Sequence, residues 1–169
     1  MKTSTPQIPL PEKLDRMPEL KPIIGLPFRH IDRDTTTLQA HFGELREINA
    51  EGKRINPTGD WVLEVFGPCP WRMSRGGRIF VGSGDFDESF GGDDCDPFTD
   101  KVNTRFDLSS YFFHNEFANN PTVVESVEMD GLEGFTLHLS RGLQLVVFPA
   151  DSDVSLNPRY WRLSSTKHI

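Results

Sequence analysis

Cysteine is nearly absent from this chain: Cys69 and Cys95 are the whole supply. Two thiols cannot form a metal site by themselves, and they do not resemble a disulfide framework. Long hydrophobic runs are missing too. No stretch approaches the about 20 apolar residues of a membrane span, and Met1-Lys2-Thr3 leads into Pro-rich polar sequence where a signal peptide would carry an apolar core. These absences describe a cytoplasmic protein with reduced thiols and no membrane partner. Basic charge is short as well. Eighteen Lys plus Arg stand against 25 Asp plus Glu, a net charge of −7. An acidic chain repels phosphate backbones, so no nucleic-acid partner is expected, and a cationic protein or a cation is favoured instead.

What is present is aromatic and turn-forming. Thirteen Phe and three Trp build a core from few, large pieces, while 13 Pro and 14 Gly disfavour long uninterrupted helices. At 169 residues the chain is most simply one domain, able to bury roughly two-thirds of its unfolded surface. Pro6, Pro9, Pro11, Pro18 and Pro22 exclude regular structure from residues 1–22, which read as an arm outside the core. Residues 23–169 read as a single β-rich domain.

Within it, Ile23–Leu26, Phe28–His30 and Thr37–Phe42 read as short strands, followed by Trp61–Phe66. Pro70-Trp71-Arg72-Met73 and Arg78–Gly82 pair across Gly76-Gly77. Thr122–Met129 is a further strand. Phe135, Leu137 and Leu139 alternate with polar residues, and Arg141-Gly142 turns the chain into Leu143, Leu145 and Val147 on one face. A second Trp-Arg, in Tyr160-Trp161-Arg162-Leu163, closes the chain. The surroundings of the two Trp-Arg echoes differ, so they read as separate plugs in one sheet and not as a repeat. In a strand each Arg faces away from its Trp. Ser109 to Phe117 reads as the one helix, with Ser109 as its cap and Asn119-Asn120-Pro121 as its stop. The expected fold is therefore mainly β: a single curved antiparallel sheet, or a partly open barrel, of about seven to nine strands with one short helix.

The ordered set Pro-Trp-Arg (70–72), Gly-Arg-Ile-Phe-Val-Gly-Ser-Gly-Asp (77–85), Phe-Thr-Leu-His-Leu-Ser-Arg-Gly-Leu-Gln-Leu-Val-Val-Phe-Pro (135–149) and Tyr-Trp-Arg-Leu (160–163) resembles an uncharacterised family of small bacterial β-rich domains. Some of its members are similar in type to the acidic immunity proteins that act as antidotes to toxins. The resemblance implies no catalytic motif. It does not cover the Pro-rich arm or the 85–107 insertion.

Chemistry is sought first in the long acidic loop at 83–107. No Lys or Arg occurs between Arg78 and Lys101, so Asp85, Asp87, Glu88, Asp93, Asp94, Asp96 and Asp100 lack a local counter-charge. As a partner-binding patch this loop would use Phe86, Asp87, Phe90, Asp93 and Asp94. Its Phe side chains, including Phe98 and Phe106, can equally anchor it to the sheet. As a cation site it would use Asp85, Asp87, Asp93 and Asp96, since calcium takes about six to eight oxygens from a flexible loop. Phe90 stands where such a loop needs Gly, and Asp96 where it needs the longer Glu. Gly82-Ser83-Gly84 reads as a turn, not a nucleophile elbow. Cys69, between two prolines, reads as a small buried thiol, and His30, His41, His114, His138 and His168 lack metal-ligand spacing.

The expected function is a non-enzymatic protein-binding protein, of antidote type in the sense of the resemblance, with a cationic protein partner and no cofactor. The alternative is a ligand-binding or hydrolytic domain using calcium or magnesium on the acidic loop. A homodimer or purely structural module is a third reading.

Overall fold

Alternation of apolar and polar residues makes most of this chain strand. The computed structural model describes residues 17–46, 57–67, 69–88, 104–150 and 160–167. The strands are β1 (Pro27–Asp34), β2 (Thr37–Arg46), β3 (Thr58–Val65), β4 (Trp71–Arg75), β5 (Arg78–Gly82), β6 (Thr122–Met129), β7 (Phe135–Leu139), β8 (Leu143–Val147) and β9 (Trp161–Ser165). The helices are α1 (Met17–Leu20), which runs into a 3₁₀ turn at Lys21–Ile23, and α2 (Arg105–Asn119). All nine strands pair antiparallel in one sheet, ordered β5-β4-β8-β7-β6-β1-β2-β3-β9, and the sheet does not close into a barrel. The mainly β expectation holds, as an open sheet. In β7 and β8 the alternating Phe135, Leu137, Leu139 and Leu143, Leu145, Val147 are all buried, as their period of two requires.

Four expectations are corrected. The segment before residue 23 is not wholly outside the core. Pro18 sits in the first turn of α1, where its missing N–H costs nothing, and Leu20 with Ile23 is fully buried. Residues 23–26 form a turn and not a strand, with Gly25 at φ +83°. The second helix begins at Arg105, four residues before Ser109. Its cap is Thr104, whose hydroxyl accepts from the Asp107 N–H at 3.3 Å, while the Asp107 carboxylate accepts from the Thr104 N–H at 3.0 Å. This reciprocal pair is a capping box with Asp in the place of Glu.

The fourth correction concerns the Trp-Arg echoes. The sheet is arranged about a central seam where β1 meets β6, at Pro27↔Val123 and Phe28↔Thr122. On one side run β6, β7, β8 and β4; on the other run β1, β2, β3 and β9. β4 follows β3 in the chain yet pairs with β8, and β9 follows β8 yet pairs with β3. The two halves have exchanged their last strands. Trp71 lies opposite Val147, the end of β8, and Trp161 lies opposite Val65, the end of β3. The details repeat in both halves. The Phe148 N–H donates to the Pro70 carbonyl at 3.0 Å and the Phe66 N–H donates to the Tyr160 carbonyl at 2.9 Å. The Arg72 guanidinium lies 5.2 Å from the Phe148 ring, and that of Arg162 lies 5.7 Å from the Phe66 ring. A bulge interrupts β1–β2 at Phe28/His30 and another interrupts β6–β7 at Val124/Ser126. The echoes thus occupy equivalent places in a two-fold arrangement with little sequence repeat to announce it.

Candidate functional site

α2 builds the only helix face of any length among the described residues. Phe106, Ser110, Phe113 and Phe117 recur at helical spacing and turn inward. Phe106 and Phe117 are buried, Phe113 stacks on Phe117 at 5.3 Å, and Phe117 meets Phe28 edge-on at 5.0 Å. The Ser110 hydroxyl donates to the Ile31 carbonyl at 2.6 Å, seating the helix on β1. Arg33 of β1 clamps the first turn, its guanidinium donating to both Asp107 oxygens at 2.8 and 2.9 Å. Such a bidentate pair fixes orientation as well as position.

The opposite side of α2 turns Tyr111 and Phe112 to solvent, 62% and 61% exposed. Beside them lies β5, the edge of the sheet, which pairs only with β4. Met73 pairs with Val81 and Ser74 with Ile79, so Phe80 is the extra residue of a bulge. A bulge bends the strand and re-aims a side chain. Here the Phe80 ring comes within 6.1 Å of Phe113. Between α2, the β4–β5 hairpin and the 3₁₀ turn Ser140–Gly142 runs a groove of about 340 Å³, floored by Phe113, Phe117 and Leu143 and walled by Phe80 and Phe112. Arg75 and Arg141 stand at it, and the Arg141 guanidinium donates to the Glu116 carboxylate at 3.1 Å.

The acidic loop looks different from its sequence. Asp85 is engaged locally: its carboxylate accepts from the Gly82 N–H at 2.8 Å and caps the 3₁₀ turn Ser83–Phe86. Phe86 is buried, 5.5 Å from Trp71 and 4.8 Å from Phe106, with the Arg33 guanidinium 5.9 Å from its ring. That buried ring anchors the loop to the sheet, the second of the two roles its sequence allows. The Arg105 N–H donates to the Glu88 carbonyl at 2.9 Å, so the chain leaves and returns at one neck. Asp87 is exposed there. Phe90, Asp93, Asp94 and Asp96 lie outside the described residues, as do Phe98 and Cys95. Among the described residues no three His, Cys, Asp or Glu side chains are grouped to hold a metal ion.

One feature escapes reading from sequence. His30 and His41 stack at 4.2 Å between β1 and β2, nearly fully buried, with His114 of α2 5.6 Å from His30. Burial pushes the His30 imidazole down to about 3; His41 and His114 add to this and Asp32 opposes it. Burial alone pushes His41 down to about 4. Both are neutral at neutral pH. The bulge at Phe28/His30 brings His30 opposite His41, and no spacing in the sequence signals it. Cys69 is buried, as its place between two prolines leads one to expect; its thiol lies 3.7 Å from the Pro70 carbonyl oxygen, at a hollow shared with Ser83 and Asp87. No helix among the described residues is long and apolar enough to cross a membrane.

No family model, curated protein or solved structure matches the chain.

Proposed function

We propose that the chain is a non-enzymatic binding protein that seats a segment of a partner protein on the face formed by α2 and the β4–β5 hairpin. The observation that carries this reading is the continuous aromatic surface of Phe80, Phe112 and Tyr111, left facing solvent around a groove. Aromatic side chains at the centre of a concave apolar patch are the residues on which protein interfaces concentrate their energy. The bulge at Phe80 and the charge of Arg78 guard the edge against adding a strand, so side chains and not backbone would make the contact. An antidote role, as the family resemblance implies, is one form of such binding.

The test compares the wild type with Phe112→Ser as bait in the native host, followed by titration of the purified partner. Because Phe112 is exposed, circular dichroism of the variant is expected to match the wild type. A partner bound by the wild type and weakened by at least about tenfold in Phe112→Ser supports the proposal. Equal binding by both proteins overturns it. So does sedimentation of the wild type as a dimer that Phe112→Ser dissolves, since the face would then belong to a second copy.

A further inference from the structure

We infer that the segment received by the α2–β5 groove is acidic: a carboxylate held by Arg75 beside a large apolar side chain that enters the groove. This rests on the docking face just proposed and names the chemistry of its partner. The chain carries a net charge of −7, yet among the described residues lining the groove arginines outnumber carboxylates. Arg75 and Arg141 line the groove, Arg78 sits beside Arg75 against the Phe80 ring, and Glu116 is the one carboxylate among the lining residues. Glu116 is taken by Arg141.

Arg75 and Arg78, neighbours across the hairpin, have no carboxylate partner among the described residues. Their guanidinium carbons lie 5.5 and 5.9 Å from the same Phe80 ring. The ring face attracts both cations and holds them beside the apolar wall, but it neutralises neither. Two like charges held on one ring repel each other, and a carboxylate arriving between them relieves that repulsion. It also receives charge-assisted hydrogen bonds in the fork geometry that guanidinium offers.

The apolar half of the ligand is set by the floor. Phe113, Phe117 and Leu143 present no donor or acceptor side chain, and of the hydroxyls that also line the groove Thr122 already donates to the Asn120 carbonyl and Ser140 accepts from the Val123 N–H, so the floor favours a Phe, Leu or Ile side chain. The occupant is a polypeptide because apolar surface continues past the groove, to Tyr111 on the helix and to Ile79 on the strand, 59% exposed. A small carboxylate would leave both uncovered. Range also favours a local reading of charge. At physiological salt, charges beyond about 8 Å are largely screened, so the net charge of the chain does not set the field at the groove; the charges beside it do.

The experiment is a display library of random nonapeptides selected on the purified full-length protein, on Phe112→Ser and on the double variant Arg75→Gln/Arg78→Gln. Expected winners on the wild type place Asp or Glu within three residues of Phe, Leu or Ile. The strongest of them, made synthetically with a fluorescent label, is expected to lose about tenfold in affinity when its acid is changed to the amide. The Arg double variant is expected to lose the acidic preference, with Phe112→Ser losing the peptides altogether. Winners that need Phe112 but are indifferent to acid, or prefer Lys and Arg, overturn the carboxylate inference and leave the docking face standing. Winners that survive Phe112→Ser, or a library that yields none, overturn both.

Discussion

At the scale of single residues, the stacked His30–His41 pair ties stability to pH. In the unfolded chain each imidazole takes a proton near its ordinary value of about 6.5, whereas the folded chain resists protonation until about 3 and 4. The unfolded state therefore binds more protons throughout that interval, and stability falls as pH drops below about 6.5. The loss is expected to reach several kcal/mol in total by about pH 4. His30→Phe, which keeps a flat ring in the stack, should flatten this part of the profile in urea titrations at pH 7 and pH 4.5. An unchanged pH slope would show that the pair does not govern it. Gly59 makes a second residue-scale case. A Cβ there would lie 2.5 Å from the Phe42 carbonyl oxygen and 2.7 Å from its nitrogen. Backbone cannot yield as a flexible side chain can, so Gly59→Ala is expected to destabilise by about 2 kcal/mol or more, read from the shift in urea midpoint.

Among elements, α2 depends on its first turn and on the docking of one face. Asp107 both completes the capping box with Thr104 and receives the Arg33 fork. Its side chain is largely shielded, 15% exposed against 24% for Arg33. Asp107→Ala removes both interactions and is expected to cost about 2–3 kcal/mol, with Asp107→Asn, which retains an accepting oxygen for the cap, costing less. Thermal unfolding followed at 222 nm separates the two, and equal losses would show that the retained cap bond contributes nothing. The cap was written in the sequence as Thr-x-x-Asp, but it falls at the end of a stretch so rich in Asp, Gly and Phe that composition alone reads it as loop. Propensity placed the helix and missed its start by four residues.

The whole molecule is held together by its exchanged strands. The seam between β1 and β6 has only two paired positions, so the halves are joined mainly by β4 crossing to β8 and β9 crossing to β3. Each buries a Trp at its crossing, Trp71 and Trp161. Neither half can complete its own sheet. Residues 1–103 and 104–169 expressed separately are expected to lack the β-sheet circular dichroism of the full chain and to recover it on mixing. A folded isolated half would refute the exchange as the source of cohesion. In the intact chain, Trp fluorescence and far-UV circular dichroism should report one coincident urea transition.

Sequence by itself determined β7 and β8, because a period of two in Phe135–Leu139 and Leu143–Val147 admits no other way to bury one face. It also determined the turn at Arg141-Gly142 and the mutual opposition of each Trp and its Arg. Tertiary structure alone decided which strands are neighbours, since pairing energy is gained wherever backbone edges meet and no local pattern records that β4 belongs beside β8. For the same reason it alone made the groove. Phe80, Phe112, Arg75 and Arg141 come from three separate stretches of chain, and only the bulge in β5 and the seating of α2 on β1 bring them to one place. The two Trp-Arg marks were legible as residues from the start. Their equivalence was not, because a two-fold arrangement of backbone demands the same hydrogen bonds in both halves and very little of the same sequence.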